Sequence, residues 1–282
     1  MSAQSWPAPA KLNLFLHITA RRADGMHELQ TLFQFLDVGD KLYFETRKDG
    51  VLNLVAGLAG VADADNLVMQ AARCLQEETG CSLGADIRLE KYLPAGGGLG
   101  GGSSDAATTL VALNQLWQTG LSNDELANLG LKLGADVPIF VRGRAAWAEG
   151  VGEKFAEASP PEPWFLVVIP DCEVSTAAVF SSMELTRDCP PITIRDFLSD
   201  HTENVCEAVV RKQYPAVDEA LNWLGQFASA RMTGTGSCVF AAFESEAQAT
   251  EVSGKIPGKW KGFVAKGCNQ SPLLKRLEQE NR

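Results

Sequence analysis

The chain has no Cys-x-x-Cys pair, no Gly-x4-Gly-Lys-Ser/Thr loop and no apolar run approaching ~18 residues. The last absence argues against a membrane-spanning helix. The first residues carry no basic region followed by an apolar stretch, so no secretory signal is expected. The seven cysteines (Cys74, Cys81, Cys172, Cys189, Cys206, Cys238 and Cys268) are scattered and odd in number. That usage points to reduced thiols in a cytoplasmic protein rather than to a disulfide framework. Positive charge is scarce too: 25 Lys and Arg stand against 35 Asp and Glu, a net charge of -10. A non-specific nucleic-acid binder would be basic, so no nucleic-acid partner is expected. Repeats are absent, and the only low-complexity segment is a short run of glycines.

That run is the most informative stretch. In Pro94-Ala95-Gly96-Gly97-Gly98-Leu99-Gly100-Gly101-Gly102-Ser103-Ser104, six glycines fall within seven residues. The chain after it, Asp105 to Trp117, holds no Pro or Gly and reads as a helix. A side-chain-free loop feeding a helix start brings backbone N–H groups and the positive end of the helix dipole to one place, an arrangement suited to phosphate. Ser103 and Ser104 are expected at the N-cap, where a hydroxyl caps the helix, touches phosphate or ligates a cation. A plain Gly/Ser linker would have polar flanks; here both flanks are regular and apolar. A dinucleotide fingerprint would need a strand–turn–helix crossover and a later acidic residue.

With 282 residues, 45% of them hydrophobic, the chain can bury one large core or two ordinary ones. Residues 11–18 alternate as a strand, with Pro7 and Pro9 keeping the approach extended. Strands are expected at 30–36 and 41–46 around an Asp37–Asp40 turn, at 51–55 and at 85–91. Asn66 caps a helix running to Thr79, stopped by Gly80. Ser122 and Glu125 form a capping box. Asp136 before Val137-Pro138 has the look of a plain N-cap. Three prolines within 156–164 mark a boundary between domains 1–158 and 159–282. The second half reads as an α+β sandwich: strands 164–169, 238–243 and 262–265, helical stretches near 175–183, 203–212, 215–227 and 246–253, and a turn at Thr233-Gly234-Thr235-Gly236-Ser237. Taken alone, that turn is an ordinary hairpin turn.

Three runs occur in fixed order: Pro9-Ala10-Lys11-Leu12-Asn13-Leu14, the glycine loop, and Thr233–Ser237. In these the chain resembles the GHMP kinase superfamily (galactose, homoserine, mevalonate and phosphomevalonate kinases). Arg21-Arg22-Ala23-Asp24-Gly25-Met26-His27, Leu133-Gly134-Ala135-Asp136-Val137-Pro138 and Phe263-Val264-Ala265-Lys266-Gly267 narrow the likeness, which spans nearly the whole chain. It is nearest to the branch acting on a cytidine diphosphate-linked methylerythritol in the non-mevalonate route to isoprenoids.

The resemblance implies an α+β, two-domain GHMP kinase fold: a ribosomal protein S5 domain 2-like N-terminal domain and a ferredoxin-like C-terminal domain, with the site in the cleft. It implies transfer of the ATP γ-phosphoryl group to the C2 hydroxyl of that small molecule, with Mg²⁺ as the metal and a monomer or homodimer as the working unit. Asp136 matches the catalytic base and Lys11 its electrostatic partner. The loop from Pro94 to Ser104 matches the ATP phosphate site, with Ser103 or Ser104 as metal ligand. Asn66, Leu67, Val68 and Lys91 match the adenine side. Asn13, Met26, His27, Asp136, Thr176 and Phe180 match the acceptor side. Outside the motifs, His27 reads as a turn histidine and Phe180 as a core aromatic. The residue before His27 is usually aromatic in this branch, forming one wall around the base. Here it is Met26, whose thioether can pack on a ring face. Two rivals stand beside this reading: a GHMP kinase with another acceptor, such as homoserine or mevalonate, and a non-catalytic nucleotide sensor. His27 and Phe180 argue against the first, since those acceptors carry no base. Lys11 together with Asp136 argues against the second.

Overall fold

The computed structural model describes residues 5–56, 65–199 and 203–280. Long alternating segments become long strands: β1 runs Trp6–Arg21 and β2 runs His27–Arg47. The expected turn at Asp37–Asp40 is instead a continuation of β2. The cause lies in β1, which extends back through both prolines and pairs with β2 on both sides of that stretch, Lys11 with Phe35 and Pro7 with Lys41, and within it, Pro9 with Gly39 and Ala8 with Asp40. A Cβ at Gly39 would lie 2.1 Å from the Ala8 carbonyl oxygen, so only glycine lets the strands close there.

β3 (Leu52–Ala56) and β4 (Gly84–Glu90) extend this sheet. Helix α1 (Leu67–Thr79) is capped by the Asn66 side chain, which accepts from Val68 N–H, and it ends at Gly80 in the left-handed region, as expected. Helix α2 spans Gly101–Trp117. It starts earlier than the sequence suggests: Gly100 is the N-cap, so Ser103 and Ser104 lie inside the first turn and cap nothing. Helix α3 (Asn123–Leu131) opens on the Ser122/Glu125 capping box, and α4 spans Val137–Arg142. Strands β5 (Ala146–Glu149) and β6 (Lys154–Glu157) complete this half.

The second half builds β7 (Trp164–Ile169), α5 (Thr176–Ser181), α6 (Ile194–Ser199), α7 (Cys206–Gln213) and α8 (Pro215–Leu224). β8 (Ala230–Met232), β9 (Val239–Phe243), α9 (Glu246–Ser253), β10 (Lys261–Cys268) and α10 (Pro272–Glu280) follow. Three of these were not expected from the sequence: β8 and α6, which are short, and α10, an amphipathic helix of nine residues. Strands β10, β7, β9 and β8 form an antiparallel sheet, as an α+β sandwich requires. β10 also pairs with β2 through Gly267–Leu36 and Cys268–Phe35, joining the two halves.

Three apolar clusters form the interior. One lies between β1, β2, β4 and helices α1–α4; a second lies between the β7/β9 sheet and α7/α8. The third contains Leu12, Phe15, Leu36, Leu99, Phe165 and Phe240, and so fills the join between the halves. Leu99, 1% exposed, is the glycine loop's only large side chain in that join. Burying one leucine is worth about 1.5–3 kcal/mol, which anchors an otherwise bare loop.

Candidate functional site

The join between the halves opens as a cavity of about 870 Å³. Its floor is the glycine loop. Gly96, Gly98 and Gly100 have φ of 65°, 76° and 73°, the left-handed region that favours glycine. Two of them are also crowded. A Cβ at Gly98 would stand 2.2 Å from Thr233 O, and one at Gly100 would stand 2.7 Å from the Phe140 ring. The second glycine turn therefore packs directly on the first: Cys238 N–H donates to Gly97 O (3.1 Å) and Thr233 Oγ1 to Gly98 O (3.3 Å). Ser104 N–H donates to Gly100 O at 2.8 Å, so the N–H groups of Gly101, Gly102 and Ser103 stand ahead of the helix's own ladder. All three residues line the cavity, as do Pro94, Ala95 and Gly96 to Gly98. Leu99 and Ser104 do not; both are sealed in the wall.

Lys11 and Asn13 come from β1. The Lys11 ammonium donates to Asn13 Oδ1 (2.6 Å), lies 3.3 Å from Asp136 Oδ2 and sits 5.3 Å from the Phe33 ring centre. Asn13 Nδ2 donates to Thr31 Oγ1 at 2.9 Å, which fixes the amide. Asp136 occupies the N-cap position of α4, yet its side chain makes no capping bond and its backbone is already helical. Released from that structural duty, the half-exposed carboxylate faces Lys11 on the cavity wall.

At the start of β2, His27 meets Phe180 of α5, their ring centres 5.1 Å apart and planes 29° apart. Phe180 lines the cavity instead of being sealed in the core. Met26 lines it as well, 52% exposed. Thr176 stands at the rim, its hydroxyl 2.9 Å from that of Thr235. One residue here escaped sequence reasoning: Arg187, whose Nε–H donates to His27 Nε2 at 3.1 Å. Nothing in its local sequence marks it, because its partner lies in the other half. Burial, then the nearby Arg187 and Arg21 guanidinium groups, hold His27 below its ordinary pKa.

On the opposite side, Lys91 and Leu67 line the cavity, whereas Asn66 and Val68 are buried behind it. Lys91 is ion-paired with Asp40 and, at 2.9 Å, with Asp105 Oδ2. Burial pulls its pKa down, but the two carboxylates outweigh that and raise it overall. Burial, opposed by Lys91 and reinforced by Asp40, pushes Asp105 up to about 7. Asp40 also accepts from Tyr92 N–H (2.5 Å) and Leu93 N–H (2.8 Å), tying the loop's start to β2. Neither aspartate was anticipated; each reads alone as a turn or helix-start residue.

Among the described residues no cluster of three or more His, Cys, Asp or Glu could hold a metal ion. Ser103 is half-exposed on the cavity, while Ser104 Oγ is buried and unpartnered. One hydroxyl beside a bed of N–H donors fits a metal that arrives on nucleotide phosphates and keeps its waters.

Comparison with known proteins bears on this geometry. The model of the GHMP kinases N-terminal domain matches residues 66–144, and that of the GHMP kinases C-terminal domain matches residues 191–262. A 4-diphosphocytidyl-2-C-methyl-D-erythritol kinase of Nitrosococcus oceani is 59% identical over 97% of this chain and 98% of its own. That of Alkalilimnicola ehrlichii is 60% identical over 99% and 96%. A crystal structure of 4-(cytidine 5'-diphospho)-2C-methyl-D-erythritol kinase superposes with a TM-score of 0.84 at 32% identity, covering 94% of this chain and 99% of that one. Homoserine kinase from Cytophaga hutchinsonii superposes at 0.70 with 15% identity, a likeness of fold alone.

Proposed function

The chain belongs to the GHMP kinases, in the family of the 4-diphosphocytidyl-2-C-methyl-D-erythritol kinases, and from that membership we propose how its cavity divides the reaction. It is an ATP-dependent phosphotransferase acting on an alcohol. In our reading the acceptor is the C2 hydroxyl of 4-diphosphocytidyl-2-C-methyl-D-erythritol, in the non-mevalonate route to isoprenoid precursors. The glycine loop and the first N–H groups of α2 hold the ATP phosphates. Asp136 takes the proton of the attacking hydroxyl as its oxygen bonds to the γ-phosphorus and the bond to ADP breaks. Lys11, held by Asn13, offsets the negative charge growing on that oxygen.

The observation that supports this most strongly is the Lys11–Asp136 separation of 3.3 Å on the wall between loop and rings. His27, Phe180 and Met26 border the place for the cytosine end; Thr176 and the Gly234–Gly236 turn border the place for its diphosphate. Leu67 and Lys91 take the adenine side, with Asn66 and Val68 supporting it from behind. Mg²⁺, with Ser103 as its protein ligand, would supply charge neutralisation at the phosphates. The boundary between lobes falls at 158/159 in this reading, within the proline-rich stretch and between the two matched segments.

The protein would work on small molecules in the cytoplasm, as monomer or homodimer and without nucleic acid. Supporting this are the seven free cysteines and the acidic charge. Among the described residues no helix is long and apolar enough to cross a membrane. The test is ADP release by the purified protein with Mg-ATP and each acceptor in turn. Turnover with the cytidine compound and none with homoserine or mevalonate is expected. Turnover only with one of the latter, or with none, overturns the reading.

A further inference from the structure

Arg187 lies in the irregular segment after α5 and spends its guanidinium on neutral acceptors. One NH2 group donates to the carbonyls of Phe180 (2.7 Å) and Ser182 (2.8 Å), and the other to Leu185 O (3.1 Å). On these bonds alone it would be a C-terminal cap for α5, where a cation is favoured. The fourth bond is different. Nε–H reaches across to the other half of the molecule and donates to His27 Nε2 at 3.1 Å. An imidazole nitrogen that accepts a hydrogen bond carries its lone pair, so the proton of the neutral ring must sit on Nδ1. The same guanidinium thus fixes the carbonyl of Phe180 and the tautomer of His27, the two rings stacked at the cavity wall.

Resting on the kinase reading above, we propose that Arg187 is a positioning residue that sets base specificity: it locks His27 as the Nδ1–H tautomer, so that the ring offers the base a donor and never an acceptor. Cytosine presents an acceptor at N3 to such a donor, whereas O2 accepts in both cytosine and uracil and does not tell them apart. Uracil carries hydrogen on N3 and leaves the two N–H groups opposed. An unsatisfied buried donor costs about 1–3 kcal/mol, roughly 10- to 100-fold in affinity, which is the discrimination expected between the two bases. The depressed pKa of His27 agrees with a ring kept neutral beside a guanidinium.

The direct test needs no substitution in Arg187. Imidazole ¹⁵N shifts of the wild-type protein at pH 8 should show His27 protonated at Nδ1 and bare at Nε2, the signal being assigned by its loss in His27→Gln. The reverse tautomer overturns the inference. The second test is calorimetry with CDP and UDP. Wild type should favour CDP by about 10- to 100-fold. Arg187→Ala should lose about tenfold of that preference and show mixed tautomers, with the ATP KM unchanged. If Arg187→Ala is less stable to heat yet keeps the preference for CDP, Arg187 is only a helix cap. If it does not fold, the wild-type tautomer decides. These readouts are separate from turnover: absence of kinase activity would sink the proposed function, whereas equal CDP and UDP binding would sink the role of Arg187.

Discussion

The Lys11 ammonium and the Asp136 carboxylate stand 3.3 Å apart, one from the first strand and one from the start of α4, with side-chain exposures of 4% and 38%. The asymmetry suits a division of labour: the buried cation is fixed by Asn13, and the carboxylate remains open to an acceptor hydroxyl. Asp136→Asn should lower kcat by about 100- to 10,000-fold, the usual worth of a positioned general base. Lys11→Met should cost about 100- to 1,000-fold, the scale of a lost electrostatic stabiliser. Neither should change the affinity for a fluorescent ATP analogue. Normal kcat in Asp136→Asn would remove it from the mechanism.

Two glycines of the loop make a controlled comparison. Gly96 and Gly98 have φ of 65° and 76°. A Cβ on Gly96 meets nothing within 4 Å, while one on Gly98 meets Thr233 O at 2.2 Å. Gly96→Ala should therefore cost only the left-handed penalty of about 1–2 kcal/mol. Gly98→Ala pays the same penalty and must also push apart the two glycine turns. Urea denaturation of both variants tests this; equal losses would mean that the turn-on-turn packing carries no weight.

What was legible in the sequence was what depends on neighbours in the chain: the glycine loop, the Asn66 and Ser122 caps, and the existence of strands in β1 and β2, though not their full length. The motifs also located Lys11, Asp136, His27 and Phe180 at the cavity. What was not legible depends on distant partners. The Asp37–Asp40 stretch carries every local mark of a turn, but pairing with β1 keeps it extended. Asp40 and Asp105 look like turn and helix-start residues until Lys91 is placed between them. Arg187 has no local signature, because its meaning is the imidazole it touches across the join. Ser103 and Ser104 are adjacent in sequence, and only the helical turn that holds them decides which one reaches the cavity.

That difference between the serines predicts different metal responses. Ser103→Ala should raise the Mg²⁺ concentration needed for half-maximal rate. Ser104 Oγ is buried without a partner, so Ser104→Ala should leave the Mg²⁺ response unchanged and match or slightly exceed wild-type stability. A Mg²⁺ effect confined to Ser104→Ala would reverse the assignment. Mg²⁺ titration of the steady-state rate, with thermal melts in parallel, reads both.

The Asp40–Lys91–Asp105 group ties the loop's start to the sheet, and its Asp105 should make stability depend on pH. Asp40→Ala removes one partner of a buried ion pair and leaves two loop N–H groups unpaired, a loss of about 3–5 kcal/mol. The pH dependence comes from Asp105. Its carboxyl rises from 3.8 to about 7 on folding, so the folded state holds the proton more tightly than the unfolded chain. The stability it lends is full below pH 3.8 and is lost as pH rises to about 7. Asp105→Asn should flatten that slope in urea denaturation measured from acid to neutral pH. A variant that keeps the wild-type slope would place the titration elsewhere.

His27 should set the acid limit of acceptor binding. Its pKa lies below the ordinary 6.5 because of burial and then the nearby Arg187 and Arg21. Once protonated, the ring carries N–H on both nitrogens, and Nε2 can no longer accept from Arg187. The imidazolium then faces that guanidinium as a second cation. Because the folded pKa is depressed, the neutral and binding-competent form persists below pH 6.5 and is lost as pH falls through the lowered value. The KM for the cytidine acceptor, measured at saturating ATP, should be level from pH 8 down to 6.5. It should climb only as pH falls further, through the lowered value, while the ATP KM stays level. His27→Gln has no such titration, so its acceptor KM should be higher at neutral pH and lack the acid rise. An acid rise of the same size in wild type and His27→Gln would assign the limit to another group and release His27 from this role.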